Sequence, residues 1–280
     1  MQIIDLINLG TNDLKKNFID NPSLDSELIL SNILNIKREQ LLINLDSTVK
    51  NSTIKRYTLD IKKRAQKYPV AYILKKKEFW KTNFYVNEHV LIPRPETELI
   101  VENLLKITRQ NSKNSILDIG TGSGCIVISL LLERKNWRGT ALDISKKAIE
   151  VAKSNAKMQH VMNRITFKKS DIDKFFGYKY DLIVSNPPYI NKQAIKNLNE
   201  DIKHNEPILA LDGGYNGFSK IKSVIEKSAQ IIRFNGKLVL EIDDNQIWMT
   251  KKILKENKFH VNKVVKDLKG LNRCIISTKI

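Results

Sequence analysis

The chain has 280 residues, of which 41% are hydrophobic and 28% charged, and its formal net charge is +18. This length can hold one large domain and a smaller one, and no apolar run approaches the roughly 20 residues that span a bilayer. The two cysteines, Cys125 and Cys274, are far apart, so we expect neither a disulfide framework nor a metal site. We therefore expect a cytoplasmic protein with no membrane partner. The positive charge is spread almost evenly, which fits compositional drift or a general attraction for an acidic partner.

The first part of the chain is predicted to consist of short helices. Apolar residues at helical spacing begin at Ile3, and a second helix ends near Leu34. Ser23 and Ser26 are candidate N-caps for that second helix, because serine side chains accept hydrogen bonds from the first helical N–H groups. A charged amphipathic helix is predicted over 54–66.

Strands and helices alternate in the rest of the chain. Two aromatic stretches within 78–86 flank a polar turn, which is typical of a β-hairpin, and a helix is predicted over 96–108. Seven strands follow, the last two as an antiparallel pair: 115–119, 139–143, 163–168, 180–185, 236–242, 259–266 and 273–279. This alternation predicts an α/β fold, a doubly wound and mostly parallel seven-stranded sheet with a small N-terminal helical domain joined by the hairpin. We predict domains at 1–74, 75–92 and 93–280.

A glycine-rich loop follows the first predicted strand. Gly120, Gly122 and Gly124 lead into an apolar helix, and glycines let the backbone approach a ligand closely. Asp143 ends the next strand 23 residues after Gly120, near the spacing of an acid that binds ribose hydroxyls. Asp171 ends a third strand region. The loop alone is also compatible with a nicotinamide cofactor site or a plain strand–helix turn.

The tetrapeptide Asn186-Pro187-Pro188-Tyr189 follows the predicted strand at 180–185. Each proline holds the preceding residue in an extended conformation, so the Asn186 side-chain oxygen and the Pro187 carbonyl are preorganised acceptors. Two such acceptors can bind the N–H bonds of a planar NH2 group and stabilise positive charge as its nitrogen is methylated. Tyr189 offers a ring face for stacking. The alternative is an ordinary turn after a strand.

The loop, the spaced acid and the tetrapeptide together resemble class I S-adenosylmethionine-dependent methyltransferases, whose sheet is Rossmann-like. The resemblance implies S-adenosylmethionine as cofactor, with Gly120–Gly124 around its methionine part and Asp143 on its ribose. Asp171 and Ile172 would border the adenine. The implied cofactor-binding residues are Asp118, Gly120, Thr121, Gly122, Ser123, Gly124, Asp143, Asp171, Ile172 and Asn186. The implied catalytic residues are Asn186, Pro187 and Tyr189.

Further motifs narrow the substrate. They are the Leu91–Glu98 stretch, Asn205-Glu206-Pro207, Gly213-Gly214-x-x-Gly217 and the Asp267–Arg273 stretch. With the helical first domain, they resemble the protein-glutamine methyltransferases that act on peptide chain release factors, the PrmC/HemK family. The resemblance implies methyl transfer to the side-chain amide nitrogen of the Gln in the Gly-Gly-Gln loop of class I release factors, which modulates translation termination. Release factors are then the implied partners, the first domain would recognise them, and nucleic acid is not required.

The implied substrate-binding residues are Asn186, Pro187, Pro188, Tyr189, Arg94 and Glu206. The stretch from Arg94 to Glu98 is expected to form a wall beside the methionine part and the substrate. The alternative for this stretch is a turn with a helix cap at Thr97. Glu206 could bind substrate backbone or anchor the 190–210 loop.

Two departures from the family pattern concern the site. Where the family tends to have a glycine after the strand that ends at Glu241, this chain has Ile242-Asp243, and Ile172 stands where an aromatic often borders the adenine.

Two other functions remain open: an amino-methyltransferase for adenine or cytosine of ribosomal RNA or DNA, and a non-catalytic adaptor that binds a translation factor. The sequence indicates no oligomerisation and no metal.

Overall fold

The structure is a computed structural model that describes residues 1–177 and 179–280. The chain divides into two compact units. The N-terminal unit comprises Met1–Lys76 and Asn199–Asn205, and the sheet unit comprises Lys77–Leu198 and Glu206–Ile280. The hairpin therefore belongs to the sheet unit, and a segment distant in sequence completes the N-terminal unit. Neither feature was predicted.

Helices make up the N-terminal unit. They are α1 (Ile3–Lys16), α2 (Pro22–Leu34), α3 (Arg38–Ile43), α4 (Asn51–Ala65), α5 (Val70–Leu74) and the short helix Glu200–Asn205. Their apolar faces meet in a core that includes Leu14, Leu30 and Leu41, all fully buried. The helical character of this region was predicted correctly.

The predicted caps of α2 are wrong. The helix begins at Pro22, with Asn21 in the N-cap position, because proline lacks an N–H and fits the first turn. Ser26 lies within the helix and is buried, where its hydroxyl is 2.6 Å from the Tyr57 hydroxyl. Ser23 also lies within the helix, and its hydroxyl donates to Glu27.

A buried ion-pair cluster also holds the N-terminal unit together. The Arg64 side chain donates from Nε to Asp25 at 2.6 Å and from Nη1 to Asp201 at 2.6 Å. Asp201 belongs to the Asn199–Asn205 segment, so one arginine links three parts of the sequence. Burial of such a charge is tolerated because both carboxylates compensate it.

The sheet unit contains a hairpin and a larger sheet. The hairpin strands are β1 (Lys77–Phe79) and β2 (Thr82–Phe84). The larger sheet has β3 (Ser115–Ile119), β4 (Arg138–Asp143), β5 (Ile165–Lys169), β6 (Tyr180–Ser185), β7 (Ile232–Glu241), β8 (Phe259–Lys266) and β9 (Asn272–Lys279). The label α9 belongs to the helix Glu200–Asn205 of the N-terminal unit. The helices of the sheet unit are α6 (Glu98–Ile107), α7 (Cys125–Glu133), α8 (Lys146–Met158), α10 (Ser219–Ile231) and α11 (Ile247–Glu256).

The larger sheet, as far as residues 1–177 and 179–280 define it, has seven strands in the order β5-β4-β3-β6-β7-β9-β8. Strands β3 to β7 are parallel, and β8 and β9 form the antiparallel edge. This confirms the predicted α/β fold. The strand order reverses at β3, so a crevice opens beyond the carboxyl ends of β3, β4 and β6. The central strands are apolar on both faces, as buried parallel strands must be; Ile116, Leu117 and Ile183 are fully buried.

Within the described part of the chain, no helix is long and apolar enough to cross a membrane. The same residues contain no group of three or more histidine, cysteine or acidic side chains that could hold a metal ion.

Candidate functional site

A cavity of about 200 Å³ lies in the crevice beyond β3, β4 and β6. Eleven of the residues singled out from the sequence line it: Arg94, Gly120, Thr121, Gly122, Ser123, Asp143, Asp171, Ile172, Asn186, Pro187 and Pro188. Parallel strands end at the same level, since Ile119 pairs with both Leu142 and Ser185, and this alignment gathers loops that are distant in sequence. Four other singled-out residues do not line the cavity: Asp118, Gly124, Tyr189 and Glu206.

The glycine loop contains two kinds of glycine. All three adopt positive φ angles, of 72° at Gly120, 53° at Gly122 and 81° at Gly124. A Cβ atom on Gly120 would meet nothing within 4 Å, whereas one on Gly124 would lie 2.8 Å from the Ile128 side chain. Gly120 and Gly122 therefore border open space where a ligand can approach. Gly124 instead lets the start of α7 pack closely against its surroundings. This packing accounts for a glycine at position 124 without any contact to a cofactor.

Asp118 lies beneath the loop and is fully buried. Its Oδ2 accepts a hydrogen bond from the Thr121 hydroxyl at 2.7 Å, and its Oδ1 has no partner among the described residues. Burial raises the pKa of this carboxyl from 3.8 to about 7. A buried carboxyl with an unpaired oxygen suits a nearby cationic group, which would stabilise its charged form.

Asp143 holds the glycine loop from the end of β4. Its Oδ2 accepts from the Gly122 N–H at 2.9 Å, and its Oδ1 accepts from the Ser145 N–H at 2.9 Å. Burial raises the pKa of this carboxyl. Each carboxylate oxygen can accept a second hydrogen bond, so Asp143 can shape the loop and also bind hydroxyl groups of a ligand.

The outer wall of the cavity carries Asp171 and Ile172. The Asp171 Oδ1 accepts from the Asp173 N–H at 3.1 Å, which fixes a short helical turn. Ile172 packs partly against the core of the sheet unit and, like Ile144, contributes an apolar surface to the cavity. The departure at Ile172 therefore leaves an aliphatic wall in place of an aromatic one.

The Asn186 side chain is held in one orientation. Its Nδ2 donates to the Thr97 hydroxyl at 3.1 Å, and Thr97 donates to Glu241 Oε2 at 2.6 Å. No described residue donates a hydrogen bond to the Asn186 Oδ1 or to the Pro187 carbonyl. Asn186 and Pro187 thus bring two unengaged acceptors to the cavity wall.

Tyr189 occupies a different place from the one expected. It does not line the cavity, and its ring packs against the apolar core of the sheet unit. Its hydroxyl donates to Glu241 Oε1 at 3.4 Å, and burial raises its pKa. The predicted ring face for stacking is therefore not presented at the cavity wall.

Close backbone packing supports the tetrapeptide from behind. Gln246 Nε2 donates to the carbonyls of Tyr189 and Gly217 at 3.0 and 2.9 Å. A Cβ atom on Gly217 would lie 2.6 Å from the Tyr189 carbonyl oxygen, and one on Gly213 would lie 2.9 Å from the Pro188 carbonyl oxygen. These glycines allow the 213–217 loop to lie against the tetrapeptide.

The turn that lacks the family's glycine is closed by side chains. The Asp243 Oδ1 accepts from the Asn245 N–H at 3.2 Å, and the Asp243 N–H donates to Gln246 at 3.2 Å. Asp244 accepts from the Asn272 N–H at 2.8 Å, which links the turn to β9. These bonds hold the turn that leads to Gln246.

Glu206 is an anchor rather than part of the cavity wall. Its Oε1 is 2.6 Å from Arg94 Nη2, and its Oε2 accepts from the Ile92 N–H at 3.2 Å. The side chain is only 2% exposed. Of the two alternatives weighed for Glu206, this arrangement favours anchoring, and Arg94 is the partner that reaches the cavity.

Several residues at the site were not identified from the sequence. His89 and Leu209 line the cavity, and Glu241 and Gln246 hold the tetrapeptide. Glu241 could have been found, because it ends a parallel strand beside the crevice, as Asp143 does. Nothing local in the sequence distinguishes the others.

Comparison with known proteins identifies both parts of the chain. Residues 95–216 match the family model of the methyltransferase small domain, and residues 5–74 match that of the PrmC N-terminal domain. A release factor glutamine methyltransferase from Fusobacterium nucleatum is 37% identical over 99% of this chain and 78% of the relative. One from Buchnera aphidicola is 35% identical over 95% of both chains.

Solved structures resemble the sheet unit's fold. A methyltransferase from Pyrococcus furiosus superposes with a TM-score of 0.52 at 16% identity, covering 70% of this chain and 88% of that one. At this level of identity the likeness concerns the fold alone.

Proposed function

This chain belongs to the family of release factor glutamine methyltransferases, and we propose that it methylates the side-chain amide nitrogen of the glutamine in the Gly-Gly-Gln loop of class I peptide chain release factors. The methyl donor is S-adenosylmethionine. One observation carries the proposal: none of residues 1–177 and 179–280 donates a hydrogen bond to the Asn186 Oδ1 or to the Pro187 carbonyl, and both residues line the cavity. Such a reaction would modulate translation termination in the cytoplasm.

The two acceptors address the chemical difficulty of the reaction. An amide nitrogen is a poor nucleophile because its lone pair is delocalised into the carbonyl. Asn186 and Pro187 would each accept one N–H of the glutamine amide, orient its nitrogen, and stabilise the positive charge that forms there. Removal of one preorganised hydrogen bond of this kind typically lowers a rate by roughly 100- to 1,000-fold. Tyr189, placed behind the acceptors, would act as support rather than as a stacking platform.

The residues around the cavity fit S-adenosylmethionine. Space is open in front of Gly120, and the carboxylate of Asp118, buried beneath the loop and outside the cavity wall, would favour the ammonium of the methionine part by its negative charge. We propose that Asp143 binds the ribose hydroxyls and that Asp171 and Ile172 border the adenine. When bound, S-adenosylmethionine supplies a methyl group on a positively charged sulfur, which is the electrophile.

We propose that the N-terminal unit recognises the release factor. The predicted domains, 1–74 for recognition, 75–92 as linker and 93–280 for catalysis, rest on the match to the PrmC N-terminal domain and on the absence of catalytic motifs before residue 75. A second contact surface would raise the effective concentration of the substrate loop at the site. Arg94, held by Glu206, would contact the incoming loop.

Mass spectrometry of the product tests the proposal. The chain is incubated with S-adenosylmethionine and a purified class I release factor, and one added methyl group is expected on the glutamine of the Gly-Gly-Gln loop. A release factor with alanine in place of that glutamine is the matched control and should stay unmodified. Parallel incubations contain ribosomal RNA and DNA. Methylated adenine or cytosine with an unmodified release factor would contradict the proposal, and so would binding to the release factor without any methyl transfer.

A further inference from the structure

A chain of hydrogen bonds runs behind the Asn186 acceptor. Asn186 Nδ2 donates to Thr97 Oγ1 at 3.1 Å, and Thr97 Oγ1 donates to Glu241 Oε2 at 2.6 Å. The other oxygen of Glu241 accepts from the Tyr189 hydroxyl at 3.4 Å. Thr97 and Glu241 are each 2% exposed, so water does not compete for these bonds.

The direction of this chain decides which end of the Asn186 amide faces the cavity. A threonine hydroxyl has one hydrogen, and an ionised carboxylate only accepts. If Thr97 gives its hydrogen to Glu241, it can only accept from Asn186, which must therefore turn its NH2 group towards Thr97. The Asn186 Oδ1 then faces away from Thr97, and it accepts no hydrogen bond from the part of the chain that the structure describes. In the opposite rotamer the Asn186 NH2 group would face the substrate NH2 group. Both groups are donors, so no hydrogen bond could form between them.

We propose that ionised Glu241, acting through Thr97, is the positioning residue that selects the catalytically useful orientation of the Asn186 amide. This inference rests on the proposed function and adds two residues to it. Protonated Glu241 could instead donate to Thr97, which could then donate to the Asn186 Oδ1. Protonation of Glu241 therefore removes the preference for one orientation of the Asn186 amide. The Asn186 Oδ1 then accepts from Thr97 and is no longer available to the substrate.

The surroundings of Glu241 bring this change into the neutral pH range. Burial, and then the charge of Glu96, raises the pKa of Glu241 from 4.5 to about 7, against the lowering effects of Thr97, Tyr189 and Arg273. The titratable groups that face it are Glu96, Arg273, Tyr189, Cys125 and Cys274. Burial raises the pKa of Tyr189 and of both cysteine thiols, so these three stay neutral when Glu241 ionises.

Single-turnover methylation at saturating cofactor and release factor tests the proposal. In the wild type, the rate should rise as pH increases through about 7. The Glu241→Gln variant should lose this rise and react about 10- to 100-fold more slowly at alkaline pH, as expected when a catalytic group is mispositioned. Its affinity for S-adenosylhomocysteine should be unchanged. A pH dependence and rate in Glu241→Gln equal to those of the wild type would overturn the proposal.

Substitutions of Thr97 separate positioning from packing. Thr97→Ser keeps the hydroxyl and should retain the rate, whereas Thr97→Val keeps the shape without the hydroxyl and should lose about 10- to 100-fold. Thr250→Val is the matched control, because Thr250 is equally buried and its hydroxyl has no described partner. It should retain the rate. Equal losses for serine and valine at position 97 would indicate packing alone and contradict the proposal.

A spectroscopic measurement tests the inference independently of the substrate. In protein labelled with ¹⁵N-asparagine, the Asn186 side-chain resonance is assigned by its loss in Asn186→Ala. It should shift with pH in the wild type and not in Glu241→Gln. An Asn186 resonance that is the same in both proteins at every pH would refute the role of Glu241. If the wild type methylates no release factor but this shift is seen, the proposed substrate fails and the positioning inference stands.

Discussion

We expect two effects of Asp118→Asn. The free energy of unfolding of the variant, minus that of the wild type, should increase as pH rises. The variant should also bind the cofactor more weakly. Asp118 is fully buried in β3, and its Oδ1 has no described partner. Burial raises its pKa from 3.8 to about 7. Its charged form is therefore disfavoured in the folded protein, and we expect the positive charge of a bound cofactor to compensate it in part.

The sign and size of the effect follow from proton linkage. Because the folded-state pKa lies above the unfolded-state value, the folded protein binds more protons between about pH 4 and about pH 7, and its free energy of unfolding falls as pH rises. For Asp118 alone, the loss from about pH 5 to about pH 8 amounts to roughly 2–3 kcal/mol. Asparagine carries no charge, so the variant escapes this loss. The unpaired asparagine N–H lowers its stability by a constant amount of about 1–3 kcal/mol at all pH values.

Urea unfolding followed by tryptophan fluorescence measures this effect, because Trp80, Trp137 and Trp248 all lie in the sheet unit. The free energy of unfolding of Asp118→Asn minus that of the wild type should grow by roughly 2–3 kcal/mol between about pH 5 and about pH 8. Asp181→Asn is the control: Ser115 and Arg233 lower the pKa of Asp181, so its difference from the wild type should stay constant over this range. A pH-independent difference for Asp118→Asn would refute the reasoning.

Three further substitutions test other parts of the site. Asn186→Ala should reduce single-turnover methylation roughly 100- to 1,000-fold and leave calorimetric binding of S-adenosylhomocysteine nearly unchanged; a near-normal rate would remove Asn186 from catalysis. Asp143→Ala should raise the dissociation constant of S-adenosylhomocysteine at least about tenfold, since each hydrogen bond to a charged group contributes about 1.5–3 kcal/mol. Arg64→Ala should destabilise the N-terminal unit by roughly 3–5 kcal/mol, because it leaves Asp25 buried and unpaired. Hydrogen exchange should locate that loss, and cofactor affinity should not change.

Local pattern was enough to predict the sheet and the residues that end its strands. Hydrophobic runs at strand length, separated by helical stretches, predict a parallel sheet because both kinds of segment need a partner to cover their apolar faces. The ends of such strands meet on one side, so Gly120, Asp143, Asp171 and Asn186 could be assigned to one crevice without coordinates.

The roles of individual site residues depended on contacts that no local pattern encodes. Thr97 meets Asn186 across 89 positions and Glu241 across 144, and Arg94 meets Glu206 across 112. Each of these partners forms a hydrogen bond with a polar group that folding has removed from water. A sequence does not show which polar groups become buried, so it does not show which of them need a partner.

The same reason explains where the structure differs from the expectations drawn from the sequence. Tyr189 was expected to offer a ring face for stacking, but it packs in part against the core and does not line the cavity. Ser26 resembled a helix cap, but the fold buries it against Tyr57. Asp201 lies in a segment assigned to the catalytic domain from the sequence, yet it groups with the N-terminal unit, where its carboxylate is 2.6 Å from Arg64. The sequence by itself therefore determined which helices and strands form and where the strand ends meet. Burial in the tertiary structure decided which polar groups pair. The reason is that a buried polar group is stable only with a hydrogen-bond partner, and the fold brings that partner from a distant part of the chain.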